Sequence, residues 1–330
     1  MSTCPSFTHL LVLPHLRVHN ANAVSGPLTH GFPSITAFLG LMQALERKAV
    51  AAGIDRLAFN AVGVVSHGWQ ELVTDGGFVK SFRLTRNPVD KDGSTAAIVE
   101  EGRIHLELSL VFAVTAEGWD TDRRQADVAA LAHLLAGMRI AGGSVSPVQT
   151  PWQRRYQPFL ADFTGGDDDR RKSFREACLR LLPGSALVGR DALIDQRLAQ
   201  RRADQPQATR LDAWLALSRI DWHYDATADD GKGGWQGSRR KGDGWVVPIP
   251  VGYGAISALY PAGSVANARD ATTPFRFVES LYSLGEWIGP HRLQRPQDLL
   301  WYADSRPEHG LYRCRNDYRP ADTTAGVPSV

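Results

Sequence analysis

Cysteine is scarce: Cys4, Cys178 and Cys314 are the three in 330 residues, far apart and odd in number. That excludes a disulfide-stapled scaffold, gives no metal-binding pair, and suits a reducing compartment. Long hydrophobic runs are missing as well, since no stretch approaches the roughly 18 apolar residues that span a bilayer. The N-terminus, MSTCPSFTHLLVLPHLRVH, lacks a basic n-region and interrupts its apolar run at Pro14-His15, so no secretory or membrane segment is expected and the cytoplasm is the expected location. Charge of one sign is also lacking. A net charge of +2 argues against generic duplex binding through a strongly basic surface. HExxH, CxxC, GxSxG and Walker A motifs are absent, which leaves no catalytic residue, metal or cofactor to expect from motifs. His15 and His19 lie four apart, but Pro14 and the alternating neighbours indicate a strand. Four residues then span about 13 Å, too far for one metal ion to bridge.

What remains is an ordinary globular composition, 43% hydrophobic and 22% charged, long enough for two domains. Residues 7–19 predict a first strand with a bulge or edge position at Pro14. Ser34 is an N-cap candidate before the stripe Ile35, Phe38, Leu39, Met42 and Leu45, with Gly53 as the stop. A second strand is predicted over residues 57–66. Phe82 and Leu84 alternate with Arg83 and Thr85, and Ile104, Leu106, Leu108 and Leu110 alternate with Arg103, His105, Glu107 and Ser109, the period of half-buried strands. A second amphipathic helix over 120–138 presents Val128, Leu131, Leu135 and Met138. A last strand over 139–148 carries Gly142-Gly143.

Strand, helix, strand, strand, helix, strand predicts an α+β, ferredoxin-like or RRM-like domain over residues 1–150, with both helices on one face and the other open. Its inserted hairpin lies near residues 86–102 and contains the turn formers Asn87-Pro88 and Asp92-Gly93. Arg83, Arg86 and Lys91 line that excursion, and both a solvated hairpin and a holder of polyanions fit it. Residues 151–330 predict a mixed α/β second domain. It has helices over 170–182, 191–202 and 209–220, Asp167–Asp169 as a cap, a Gly- and Asp-rich loop over 225–244, and aromatic segments beyond. Basic runs such as Arg154-Arg155 and Arg239-Arg240-Lys241 read as solvated faces or as nucleic-acid contacts. The polar loop holding Asn20 and Asn22 can read base edges or simply lead into the helix. Tyr253, between Gly252 and Gly254, is a stacking candidate.

Several blocks carry a resemblance: RVHNANAVSGPLTHGFPS, LTRNPVDKDGSTAAIVEEGRIHLELSL, MRIAGGS, RLLPGSALVGRDAL, GWVVPIPVGYGAISALY, NARDATTPFRFVESLYSLGEWIGPHR, and DLLWY followed by GLYR. In collinear order, from about residue 8 to residue 316, they resemble the second Csy-type subunit family of type I-F CRISPR surveillance complexes, the Cas-five group of the RAMP superfamily. The resemblance implies a non-catalytic RNA-binding subunit that holds the 5′ handle of the CRISPR RNA, forms a heterodimer with the large subunit, adjoins the first backbone subunit, and meets target double-stranded DNA through the assembled complex. It also implies RNA contacts at Asn20, Asn22, Arg83, Arg86, Asn87, Ser94 and Thr95, at the glycine-rich loop of Arg139, Gly142 and Gly143, and at Arg269, Arg276 and Arg292 as RNA or partner contacts. Relatives in another subtype cut precursor RNA, so a RAMP-type endoribonuclease is the alternative.

Overall fold

Alternation of apolar and polar residues sets the layers of the computed structural model, which describes residues 3–77, 79–86, 89, 92–116, 118–147, 152–227, 233–238 and 244–320. The main sheet and its helices run β1 (His9–Asn22), α1 (Ile35–Ala51), β2 (Leu57–Glu71), β3 (Arg103–Ala116), α2 (Thr121–Ala136), β4 (Arg139–Ile140), β5 (Gly143–Ser146), β6 (Phe159–Asp162) and α3 (Asp167–Arg180). They continue as β7 (Ser185–Gly189), α4 (Asp191–Asp204), α5 (Arg210–Ser218), β8 (Val246–Ala255), β9 (Val278–Ile288), α6 (Pro296–Leu299), β10 (Leu300–Arg306) and β11 (Leu311–Asn316). This is a mixed α/β protein with a large antiparallel sheet and, among the described residues, these six α-helices.

The strand order β4-β5-β1-β3-β2-β7-β9-β8-β11-β10, with β6 also on β1, makes 11 strands. Every pairing in it is antiparallel. One edge of β2 carries β3. The other is shared by β7, at Val65 and Ser66, and by β10, at Val62 and Gly63. The path through β7, β9, β8, β11 and β10 therefore returns to β2 and closes a six-strand ring. Trp301, 2% exposed, joins that ring to the core, its indole N–H donating to Leu187 O at 2.8 Å.

β3 shows how one strand serves two layers. Ile104, Leu106, Leu108, Leu110, Phe112 and Val114 project to one face and bury against α1 and α2, beside Phe38, Leu39, Leu45, Leu131 and Leu135. α1 begins where the sequence predicts, with the Ser34 hydroxyl accepting the Thr36 N–H at 3.3 Å and donating to Pro250 O at 3.1 Å. Capping of this kind is worth about 1 kcal/mol. On the other face Val111 and Ala113 join Leu10 and Val12 under Phe174, Ala177 and Cys178 of α3. The face expected to be open is thus covered over half its length, because β1 and β3 are apolar on both sides there. It stays polar only toward the Arg103 end.

Five further expectations are corrected. β1 runs three residues past His19 and passes Pro14 through a register shift at Leu13/Leu16, with His15 at φ 52°; the bulge takes proline's missing donor out of the ladder. The strand predicted over 139–148 is a tight hairpin, β4 to β5, turned at Ala141 (φ 47°) and Gly142 (φ 82°). Two positive φ values are what a two-residue turn matching strand twist requires. Asp167–Asp169 form the first turn of α3 itself, behind an N-cap at Gly166 that makes no side-chain bond; their negative charge suits a helix N-terminus. The loop expected over 225–244 contains a strand, Gly234–Gly237, which pairs antiparallel with Trp222–Asp225. The excursion after β2 is two small ladders, Val73–Asp75 with Lys80–Phe82 and Leu84–Arg86 with Ile98–Glu100. No helix among the described residues is long and apolar enough to cross a membrane.

Candidate nucleic-acid interface

The uncovered end of the sheet is polar for a local reason. Arg103, His105 and Glu107 alternate with the buried Ile104 and Leu106, so they share the face that α3 leaves bare. A second register shift in β1, between Val18 and Ala21, bulges His19 and Asn20 out opposite them. Asn20 takes φ 56° and its N–H donates to His105 Nδ1 at 3.1 Å. His19 meets the His105 ring edge to face at 4.8 Å between centroids.

From above, the first small ladder brings in Arg83, whose N–H reaches Leu72 O at 3.3 Å and whose Nε donates to Val73 O at 3.4 Å. From the side, the β4–β5 turn brings Arg139, whose Nη1 donates to Gly142 O at 3.2 Å. Gly143 lets that hairpin lie flat on β1, since a Cβ there would sit 2.7 Å from both His19 O and Ala21 N. The result is a groove of about 290 Å³ lined by His19, Asn20, Arg83, Arg103, Arg139 and Gly142. Arg103 is held by Glu101 at 2.6 Å. Among the described residues, no carboxylate pairs with Arg83 or Arg139. The local field is positive. Partial burial first, then the charges of His19 and Arg83, hold the His105 imidazole below its ordinary pKa, the direction that neighbouring cations impose.

Over the β4–β5 turn, a second recess of about 660 Å³ shares Arg139 and Gly142 with the first and adds Asn22, Ser34, Tyr253 and Tyr312. Tyr253 is 41% exposed and stacks on Tyr312 at 6.4 Å. The two recesses form a bent track around one turn, cations at one end and a tyrosine platform at the other. Single-stranded nucleic acid asks for that combination of phosphate neutralisation and aromatic faces.

Of the expected contacts, Asn20, Asn22, Arg83, Arg139, Gly142 and Tyr253 meet along this track, with Gly143 beneath it. Asn22 lines it without a free amide: Nδ2 donates to Val24 O at 2.6 Å and Oδ1 accepts from Val24 N at 3.2 Å. Ser94 is tied to Asp92 in a local turn, its hydroxyl donating at 2.7 Å; Thr95 is exposed on the same excursion. Arg269 and Arg292 are exposed elsewhere, and Arg276 donates to Pro307 O at 3.1 Å. None of these five lines either recess. Asn87 and the Arg86 side chain lie outside the described residues. His19 and His105 are the residues sequence reasoning passed over. The signal was there in the position of His105 on the polar side of the β3 alternation and of His19 beside Asn20.

The same face carries a satisfied histidine pair further along. His15 stacks on His67 at 3.9 Å, and His15 Nδ1 meets Glu107 Oε1 at 2.8 Å. His67 Nδ1 donates to Pro183 O at 2.7 Å, so its Nε2 accepts from the Ser109 hydroxyl at 2.6 Å. Burial lowers the His67 pKa and favours that neutral tautomer,. Among the described residues, no group of three or more His, Cys, Asp or Glu side chains is placed to hold a metal ion. The cysteines are packing groups, with Cys178 and Cys314 pushed up to about 12, chiefly by burial.

The chain matches the family described as CRISPR-associated protein (Cas_Csy2) over residues 11–314. It is 46% identical over 315 residues to the CRISPR-associated protein Csy2 of Pseudomonas aeruginosa (strain UCBPP-PA14), across 92% of this chain and 94% of that protein.

Proposed function

Because the chain belongs to the CRISPR-associated Csy2 family, we propose that it is a non-catalytic subunit of a type I-F CRISPR ribonucleoprotein complex of antiviral defence. It holds the 5′ handle of the CRISPR RNA, pairs with the large subunit, and adjoins the first backbone subunit. The observation that carries this reading is the convergence of Arg83, Arg103, Arg139 and His19 on a groove that continues around the Gly142 turn to Tyr253. Arg83 and Arg139 neutralise phosphates, Asn20 and the exposed Gly142 backbone meet base edges or sugars, and Tyr253 stacks on one base. Specificity for target DNA then comes from pairing by the RNA, the division of labour of RNA-guided effectors.

Residues 1–150 act in this account as a ferredoxin-like RNA-holding unit, a reading supported by the spatial order β5-β1-β3-β2 with both helices on one face. Residues 151–330 supply contacts to partner subunits. One observation favours the endoribonuclease alternative: two imidazoles 4.8 Å apart in a basic groove are the kind of pair that moves protons in RNA cleavage.

Two assays test the reading. Affinity of the assembled protein for handle RNA, measured across salt concentrations, is expected to fall at least 100-fold in the Arg83→Glu, Arg139→Glu double variant. Its salt dependence should become shallower by about 0.7 in log–log slope for each phosphate that is no longer neutralised. Unchanged affinity in a folded double variant would remove the groove from the account. Incubation of the chain with repeat RNA is expected to leave the RNA intact; specific cleavage would establish the alternative.

A further inference from the structure

Across the sheet from the basic groove, where β2 and β3 end on the α1 side, lies a recess of about 420 Å³ that RNA binding leaves unused. Trp69 of β2, Trp245 before β8, Trp287 of β9 and Phe32 wall it. The rings are partnered among themselves, Phe32 with Trp287 at 4.8 Å and Trp69 with Trp245 at 5.9 Å. Yet Trp69 is 61% and Trp245 49% exposed. Indoles left in water around a concavity mark a surface that a partner covers, because a large buried aromatic is where interfaces gain most.

Charge decides what that partner is. No lysine or arginine lines this recess; Glu71 does, with His30 Nδ1 at 2.9 Å from its Oε1. A phosphodiester brought here would face a carboxylate and meet no arginine or lysine, the reverse of the groove on the other face. Thr29 Oγ1, on the same wall, is buried with no hydrogen-bond partner, and buried polar groups are normally satisfied.

We infer that this recess is a protein-docking socket. It takes a large apolar side chain from a partner segment that also carries a lysine or arginine for Glu71 and a polar group for Thr29. The inference rests on the pairing with the large subunit proposed above and locates that pairing on this face.

The test uses full-length chain labelled with 5-fluorotryptophan, observed by fluorine NMR alone, with the large subunit, and then with handle RNA. Trp69→Phe and Trp245→Phe variants assign the signals. Both are expected to lose their solvent isotope shift when the large subunit is added, and to change no further with RNA. Persistent solvent exposure in the protein pair would overturn the inference. So would protection that appears only with RNA, which would make the recess a nucleobase site. The Trp69→Ala, Trp245→Ala double variant is expected to weaken the pair at least tenfold, and Glu71→Lys, which removes no aromatic packing, to weaken it severalfold with unchanged thermal stability. Normal pairing by both variants would overturn the docking alone, whereas a wild-type chain that never pairs would end the pairing and the docking together.

Discussion

On one side of the β2–β3 sheet, Arg103 stands in a groove with Arg83 and Arg139; on the other, Trp69, Glu71 and Ile104, one residue along β3 from Arg103, border the tryptophan-walled recess. β3 faces both ways within two residues, Arg103 into the groove and Ile104 into the recess. Side chains alternate across a sheet, so the two faces at this end can differ in chemistry without either surface compromising the other. The comparison also explains the near-neutral net charge of the chain. A small basic track is enough for the RNA contact proposed at this end of the sheet.

The sharpest break between the two surfaces is the effect of each on RNA. Reversing Arg83 and Arg139 is expected to cost roughly 3 kcal/mol or more of RNA binding, because several charge-assisted hydrogen bonds to phosphate disappear, while Trp69→Ala with Trp245→Ala leaves RNA affinity unchanged. Equal losses in a filter-binding assay would erase the distinction. Next in size is Tyr253→Ala, expected to weaken RNA binding by about 1–3 kcal/mol, the worth of a base stacked on a ring, without altering pairing with the large subunit. Gly143→Ala sharpens the geometry. Its Cβ meets β1 backbone at 2.7 Å, so a thermal melt is expected to show a loss of about 1–3 kcal/mol together with weaker RNA binding as the turn lifts.

A smaller effect separates the surfaces by pH. In the free chain the His105 pKa sits below its ordinary value of 6.5, through burial and then the charges of His19 and Arg83. Phosphates of RNA bound as proposed would favour the charged imidazole, so the complex is expected to hold a proton that the free chain lacks. RNA affinity is therefore expected to rise between about pH 7.5 and 6, and the rise should shrink in His105→Ala. Stability of the free chain runs the opposite way: a lowered histidine pKa makes stability fall as pH drops below the unfolded value. Smallest of all is Ser94→Ala, whose hydroxyl is committed to Asp92; its RNA affinity is expected to match that of the wild type.

Local rules made much of the fold legible. The Ser34 cap, the α1 stripe and the β3 alternation all act within a few residues, and the sequence predicted each of them. The segment from β4 into β5 misled, because the turn at Ala141-Gly142 lies inside a short run, RIAGGSVS, in which only Gly142-Gly143 marks the reversal. The covered half of the sheet was hidden for a different reason. Leu10, Val12, Val111 and Ala113 are apolar on the face away from the first two helices, but the layer that claims them, α3, arrives more than 50 residues after Ala113 and more than 150 after Val12. Ring closure by β10 on β2 is a pairing across more than 200 residues that no local period encodes. The site divides the same way. Asn20, Arg83 and Arg139 come together because a bulge, a small ladder and a hairpin converge, whereas Arg269, Arg276 and Arg292 lie in blocks that fold elsewhere.

Ultraviolet crosslinking of the complex carrying handle RNA, followed by mass spectrometry of the attached peptides, tests the central division most directly. The account predicts crosslinks on the segments around His19–Asn22, Arg83, Arg139–Gly143 and Tyr253, and none at Trp69 or Trp245. Crosslinks concentrated on the tryptophan recess, with the Arg83 and Arg139 segments untouched, would contradict it.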